Sequence, residues 1–129
     1  MSARGMDDRF VFSGAVADEG KWSVYRRADC FVLPTHTENF GIVIAEALYA
    51  GLPVVTTTGA PWGELVAENC GWWIDFSVAD IVVALREVLS LSDDQRRVMG
   101  YRGKALVERR YAWASIANMM VNEYATLLK

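Results

Sequence analysis

Apolar positions along the chain fall in short blocks whose period switches between two and three to four residues. Arg9–Ser13 (Arg-Phe-Val-Phe-Ser) reads as a strand closed by Gly14. Gly20–Arg27 has the spacing of a short helix rich in aromatic and basic residues. Cys30–Leu33 is a short apolar strand stopped by Pro34. Ile42-Val43-Ile44 alone would suit a strand, but the continuation Ala45-Glu46-Ala47-Leu48 decides for a helix over Gly41–Ala50, with Gly51 and Pro53 as stop signals. Val54–Thr58 is β-branched throughout and reads as a strand. Pro61–Ala67 predicts a short helix and Gly71–Ile74 another strand. From Ser77 onward the pattern is helical. Ser77 with Asp80, and Ser92 with Gln95, have the spacing of helix N-caps, and Ile81, Val82, Leu85, Val88 and Leu89 follow helical spacing. A last helix would place Ile116, Met120, Tyr124 and Leu127 on one stripe.

Short apolar strands alternating with helices predict an α/β fold: a Rossmann-like parallel sheet with helices on both faces and a helical C-terminal third. The 129 residues suffice for one domain, and 53% hydrophobic with 22% charged residues is the balance of a soluble globular protein. A net charge of −3 argues against nucleic acid as the main partner. No apolar run is long enough to span a bilayer, and the first residues do not have the pattern of a signal peptide. Cys30 and Cys70 have no second Cys or His at metal spacing, so they read as reduced, partly buried thiols of a cytoplasmic protein.

In parallel sheets of this kind, ligands bind beyond the carboxyl ends of the strands. That directs attention to the loops after Ser13, Leu33 and Thr58. The stretch Pro34-Thr35-His36-Thr37-Glu38-Asn39-Phe40-Gly41 is polar, follows a buried strand and feeds an apolar helix. Backbone N–H groups of Gly41-Ile42-Val43, at the positive end of that helix, would suit a phosphate. Glu46 is the only charged residue between Gly41 and Gly51. Buried without a partner it would cost several kcal/mol, so it must face something specific if it points inward. Glu38 and Glu46 flanking a phosphate site fit the hydroxyls of two sugars joined by a diphosphate. On spacing alone, a solvated Glu38 and an exposed Glu46 are the favoured reading.

Glu38-Asn39-Phe40-Gly41-Ile42-Val43-Ile44-Ala45-Glu46-Ala47 resembles the E-x7-E signature of glycosyltransferase family four and its relatives. Ala28-Asp29-Cys30-Phe31-Val32-Leu33-Pro34 resembles the strand before that signature. Glu46-Ala47-Leu48-Tyr49-Ala50-Gly51-Leu52-Pro53-Val54-Val55 resembles the segment after it. Phe10-Val11-Phe12-Ser13-Gly14 resembles the strand that ends at the nucleotide base, and Tyr111-Ala112-Trp113 the entry to the last helix. The resemblance implies a retaining glycosyltransferase of the two-domain GT-B type, with a nucleotide-diphosphate sugar as donor and a glycan or lipid-linked sugar as acceptor. It implies no cofactor and no metal. Glu38 would contact hydroxyls of the transferred sugar and be the catalytic-site carboxylate. Glu46 would hold the ribose. Backbone groups of Asn39, Phe40, Gly41 and Ile42 would meet the donor sugar and distal phosphate, and Gly14 to Val16 the base.

The chain departs from the pattern at Asn39, commonly Gly or Ser, and at Thr35, usually Ser. Gly59-Ala60-Pro61-Trp62-Gly63-Glu64 replaces a frequent Gly-Gly-x-x-Glu stretch, and its Trp62 is bulkier than usual. Trp62 reads as a core-edge aromatic or as a lining of the donor or acceptor pocket. His36, the only histidine, reads as local structure rather than a general base, and the adjacent Trp72 and Trp73 as packing on opposite sides of a strand. Arg96, Arg97, Arg109 and Arg110 read as solvated helix faces. Lys21 and Arg26 match no diphosphate clamp of the family, which leaves the two glutamates to make the site net negative.

The resemblance covers residues 1–129 as a partial C-terminal donor-binding domain, lacking the first strands, the clamp and the acceptor-binding domain. An open strand edge would then favour self-association of this piece. The protein would be cytoplasmic, or peripheral at the membrane in its full length. The alternative from another class is a non-catalytic α/β module that binds a nucleotide or a protein partner through the same loop.

Overall fold

The computed structural model describes residues 9–11, 14 and 18–110. Within them the chain forms α1 (Asp18–Arg27), β1 (Phe31–Leu33), α2 (Ile42–Tyr49), β2 (Val54–Thr57), α3 (Glu64–Ala67), β3 (Gly71–Ile74), α4 (Val78–Ser90) and α5 (Asp93–Arg110). The three strands make one parallel sheet in the order β1-β2-β3. Phe31 pairs with Val54, and Val54 in turn with Gly71, so the sheet is in sequence order with a helix in each connection.

The strands expected at Cys30–Leu33, Val54–Thr58 and Gly71–Ile74 and the α2 helix stand within a residue or so of their expected bounds. Two differences have physical causes. Pro61-Trp62-Gly63 is a turn rather than the start of α3, because the Trp62 N–H folds back on the Ala60 carbonyl at 2.8 Å. The strand expected over Arg9–Ser13 is absent at Arg9, Phe10 and Val11, and its remaining residues lie outside those described. A strand exists only through a neighbour, and no ladder partner is found for these three residues among the described ones. Val11 is accordingly exposed. The outer edge of β1 likewise has no strand beside it among the described residues. The expected stripe Ile116–Leu127 lies outside the described residues.

All four residues of β2 are buried, so both faces of the central strand are covered. Val54 points into a cluster with Ile44 and Leu48 of α2, Leu65 of α3, Cys70 just before β3, and Leu106 and Val107 of α5. Val55 points the other way. There α4, with Ala84 and Val88 buried, lies against β2 and β3. Both predicted caps form: the Ser77 hydroxyl accepts from the Asp80 N–H, and Ser92 and Gln95 bond reciprocally. Arg96 corrects the expectation of a solvated side chain. It is largely buried and donates to the Leu91 carbonyl at 2.7 Å, closing the corner between α4 and α5. Arg97, Arg109 and Arg110 are exposed as expected, beside Asp94, Glu68 and Glu64.

Both thiols are free. Burial pushes Cys30 up, and it pushes Cys70 from an ordinary 9.0 to about 11, with Glu68 and Glu64 adding to the effect. Tyr25 is raised in the same way by burial and by Glu46. A group whose proton is held more tightly in the folded chain stabilises the fold below its unfolded pKa, and that contribution is lost as pH rises through the folded one. Stability should therefore decline as pH climbs from 9.0 towards about 11. Chemical denaturation across that window checks it, and Cys70→Ala should flatten the slope.

Candidate functional site

The carboxyl ends of β1 and β2 are tied together before any ligand is considered. Thr56 donates its hydroxyl to the Leu33 carbonyl at 2.8 Å. The Thr57 hydroxyl accepts from the Thr35 N–H at 3.0 Å and donates to the Thr35 carbonyl. The loop after β1 is further pinned where the Glu38 N–H donates to the Gly59 carbonyl at 3.1 Å. Gly59 has no room for a side chain: a Cβ there would overlap the His36 carbonyl.

From this pinned loop the chain enters α2 through Gly41, whose φ of 77° is left-handed and favours glycine. A Cβ at Gly41 would meet the Ile44 side chain at 2.9 Å, the Trp62 indole nitrogen at 3.2 Å and Glu38 Cγ at 3.4 Å. Glu38, Gly41 and Trp62 thus converge at the helix start. Gly41 at the N-cap has no side chain to cap α2, and the first turn of the helix has no acidic residue. Its amides and the positive end of the helix dipole face the loop, an arrangement that suits an anion. Phe40 and Ile42 are half-buried there, and Asn39 is exposed.

Glu46 lies further along α2 and is buried, 2% exposed. It points at α1, where Lys21 and Tyr25 are one helical turn apart on a single face. The Tyr25 hydroxyl donates to Glu46 Oε1 at 3.2 Å, and the Lys21 ammonium lies 2.7 Å from Oε2. The sequence reading of Glu46 as a carboxylate facing something specific therefore holds, with Lys21 and Tyr25 as what it faces. The expectation of a site charged only by Glu38 and Glu46 is corrected: Lys21 brings a cation to Glu46. Helical spacing could have marked the Lys21–Tyr25 pair, but not that α1 would lie against the Glu46 face of α2.

Trp62 is fully buried, as the core reading expected. Its indole N–H donates to the Phe40 carbonyl at 2.6 Å. Trp73 donates to the Ala60 carbonyl at 2.7 Å, while Trp72 turns the other way to Glu87 at 2.6 Å. His36 is exposed and stacks on Phe76 with ring centroids 3.8 Å apart. Gly14 is exposed with φ 69°, and Val16 lies outside the described residues. The structure thus brings Glu38, Phe40 and Gly41 together, with Glu46 deeper along the same helix. No cluster of metal-ligating side chains is found among the described residues, and no described helix is long and apolar enough to cross a membrane.

The family model described as "Glycosyl transferases group 1" matches residues 1–106. The D-inositol 3-phosphate glycosyltransferase of Xylanimonas cellulosilytica is 32% identical over 97% of this chain and 30% of its own length. The phosphatidyl-myo-inositol mannosyltransferase of Mycobacterium leprae is 31% identical over 97% of this chain and 34% of its own. Among solved structures, the sucrose-phosphate synthase of Thermosynechococcus elongatus superposes with a TM-score of 0.78 at 27% identity, over 96% of this chain and 31% of that one. The chain spans about a third of the length of these relatives.

Proposed function

Because the chain belongs to the group 1 glycosyltransferases, we propose that residues 1–129 form part of the C-terminal, donor-binding half of a retaining GT-B enzyme. The donor is a nucleotide-diphosphate sugar, and the acceptor a glycan or lipid-linked sugar. The observation that carries this reading is the convergence of Glu38 on the uncapped, left-handed entry of α2 at Gly41. Amides there stabilise a phosphate, and in the transition state they oppose the charge that builds on the departing diphosphate. Glu38 accepts hydrogen bonds from the transferred sugar. Glu46, reached past Lys21, serves the ribose, and Gly14 to Val16 serve the base. In this reading the reaction uses no metal and no cofactor. The enzyme works in the cytoplasm or at the membrane surface, and the isolated piece self-associates through its β1 edge.

Calorimetry of the intact enzyme with UDP-, GDP- and ADP-sugars tests the reading. One nucleotide series should bind clearly, and failure of all three would overturn it. Glu38→Ala should depress transfer strongly while leaving the affinity for the bare nucleotide nearly intact. The 129 residues alone should transfer no sugar and bind donors with dissociation constants of roughly millimolar order or weaker, near −4 kcal/mol. Two carboxylates against one lysine still leave the site negative, and a dianionic diphosphate is repelled. Micromolar binding by this piece would contradict that estimate.

A further inference from the structure

We propose that Trp62 is the positioning residue of the donor-sugar subsite, a role that rests on the reading of the 34–41 loop as the donor site. Trp62 is fully buried and so does not touch a donor; it acts on the peptide group between Phe40 and Gly41. Its indole N–H holds the Phe40 carbonyl at 2.6 Å. That peptide is trans, as no cis bond occurs among the described residues. In a planar trans peptide, the C=O and the following N–H point in opposite directions. Drawing the Phe40 carbonyl onto buried Trp62 therefore aims the Gly41 N–H away from the indole, on the other side of the peptide plane's axis. Among the described residues this N–H has no backbone acceptor. Trp62 thereby sets the direction of the amide at the very entry of α2, where the distal phosphate of the donor is placed.

The latch is itself held. The Trp62 ring packs on Phe40 with centroids 5.5 Å apart. The Trp62 backbone N–H is turned back to the Ala60 carbonyl at 2.8 Å, and the Trp73 indole secures the same carbonyl from β3. The indole also lies 3.2 Å from the point where a Gly41 Cβ would sit, so it closes the inner side of the turn. A ring that only filled volume would need none of the N–H geometry.

Two changes at position 62 of the intact enzyme separate donor from volume: Trp62→Phe, and Trp62→3-benzothienylalanine, in which sulfur replaces the N–H in a ring of nearly the same shape. The probes are UMP, GMP and AMP against UDP-glucose, GDP-mannose and ADP-glucose, by calorimetry. For the nucleotide series that the unsubstituted enzyme binds, both variants should weaken the nucleotide-sugar about tenfold, the scale of one hydrogen bond lost at this peptide. The monophosphate, which does not reach the distal phosphate position, should keep its affinity. Equal weakening of both ligands would show a merely structural residue and overturn the proposal, as would an unchanged nucleotide-sugar affinity. If Trp62→Phe does not fold, the isosteric variant decides alone. Failure of the unsubstituted enzyme to bind any of the six would instead overturn the donor reading, and this role with it.

Discussion

Lys21→Met should destabilise the fold by about 3–5 kcal/mol, the cost of leaving a buried charge without its partner. The two members of the Lys21–Glu46 pair are unequal. Glu46 is 2% exposed and Lys21 21%. Remove the lysine, and among the described residues the carboxylate keeps only the Tyr25 hydroxyl at 3.2 Å and, being buried, cannot turn to water. Remove the carboxylate, and the ammonium can swing outward on its flexible stem. Glu46→Ala should therefore cost less, about 1–3 kcal/mol for lost charge-assisted hydrogen bonding. The double change Lys21→Met with Glu46→Leu should regain most of the loss, because a buried pair can be replaced by apolar side chains at little cost. Denaturant unfolding of the two single variants and the double variant measures all three. Losses that are equally small in both single variants would show a solvent-screened pair and sink the account.

The same cycle separates folding from ligand binding. Glu46→Ala should weaken nucleotide binding by about 1–3 kcal/mol if Glu46 holds the ribose. The double variant, though folded, should bind no better than Glu46→Ala. A stable double variant that bound nucleotide as the unsubstituted enzyme does would remove Glu46 from the site.

Periodicity and stop signals carried most of the fold. Val54–Thr57 is β-branched and central, so its local preference and its burial agree. Gly71–Ile74 is bounded by a glycine that has no room for a side chain against the Val54 carbonyl, and it was legible to the residue. Phe10 and Val11 have equal strand preference but no neighbour among the described residues, and preference without a ladder makes no strand. The candidate site was legible as a loop and a helix start, because Glu38, Gly41 and Glu46 are close in the chain. What stayed hidden depends on which surfaces meet. Lys21 becomes the partner of Glu46 only once α1 lies against α2. Trp62 becomes a hydrogen-bond donor to Phe40 only once the two carboxyl-end loops are side by side. The departure from the family pattern at residues 59–64 marked Trp62 as unusual and left its role open.

Glycines show the same limit in sharper form, and they give the second large effect. Gly51 and Gly59 look alike in sequence, each beside a turn. Gly51 has φ 88° with open space where a Cβ would go, so it is there for its backbone conformation. Gly59 is there for space: any Cβ would overlap the His36 carbonyl, which belongs to backbone and cannot rotate away. Gly51→Ala should cost about 1–2 kcal/mol of left-handed strain and leave donor binding untouched. Gly59→Ala should cost more, about 2–3 kcal/mol, because two backbone segments must move apart. That movement strains the bond from the Glu38 N–H to the Gly59 carbonyl and shifts Glu38 away from Gly41. Donor affinity in the intact enzyme should fall together with stability at Gly59, and only stability should fall at Gly51. Thermal unfolding and calorimetry on both variants decide it. A Gly59→Ala enzyme as stable as Gly51→Ala, with its donor affinity intact, would mean that the 34–41 loop is not held in place by its contact with the 58–63 turn.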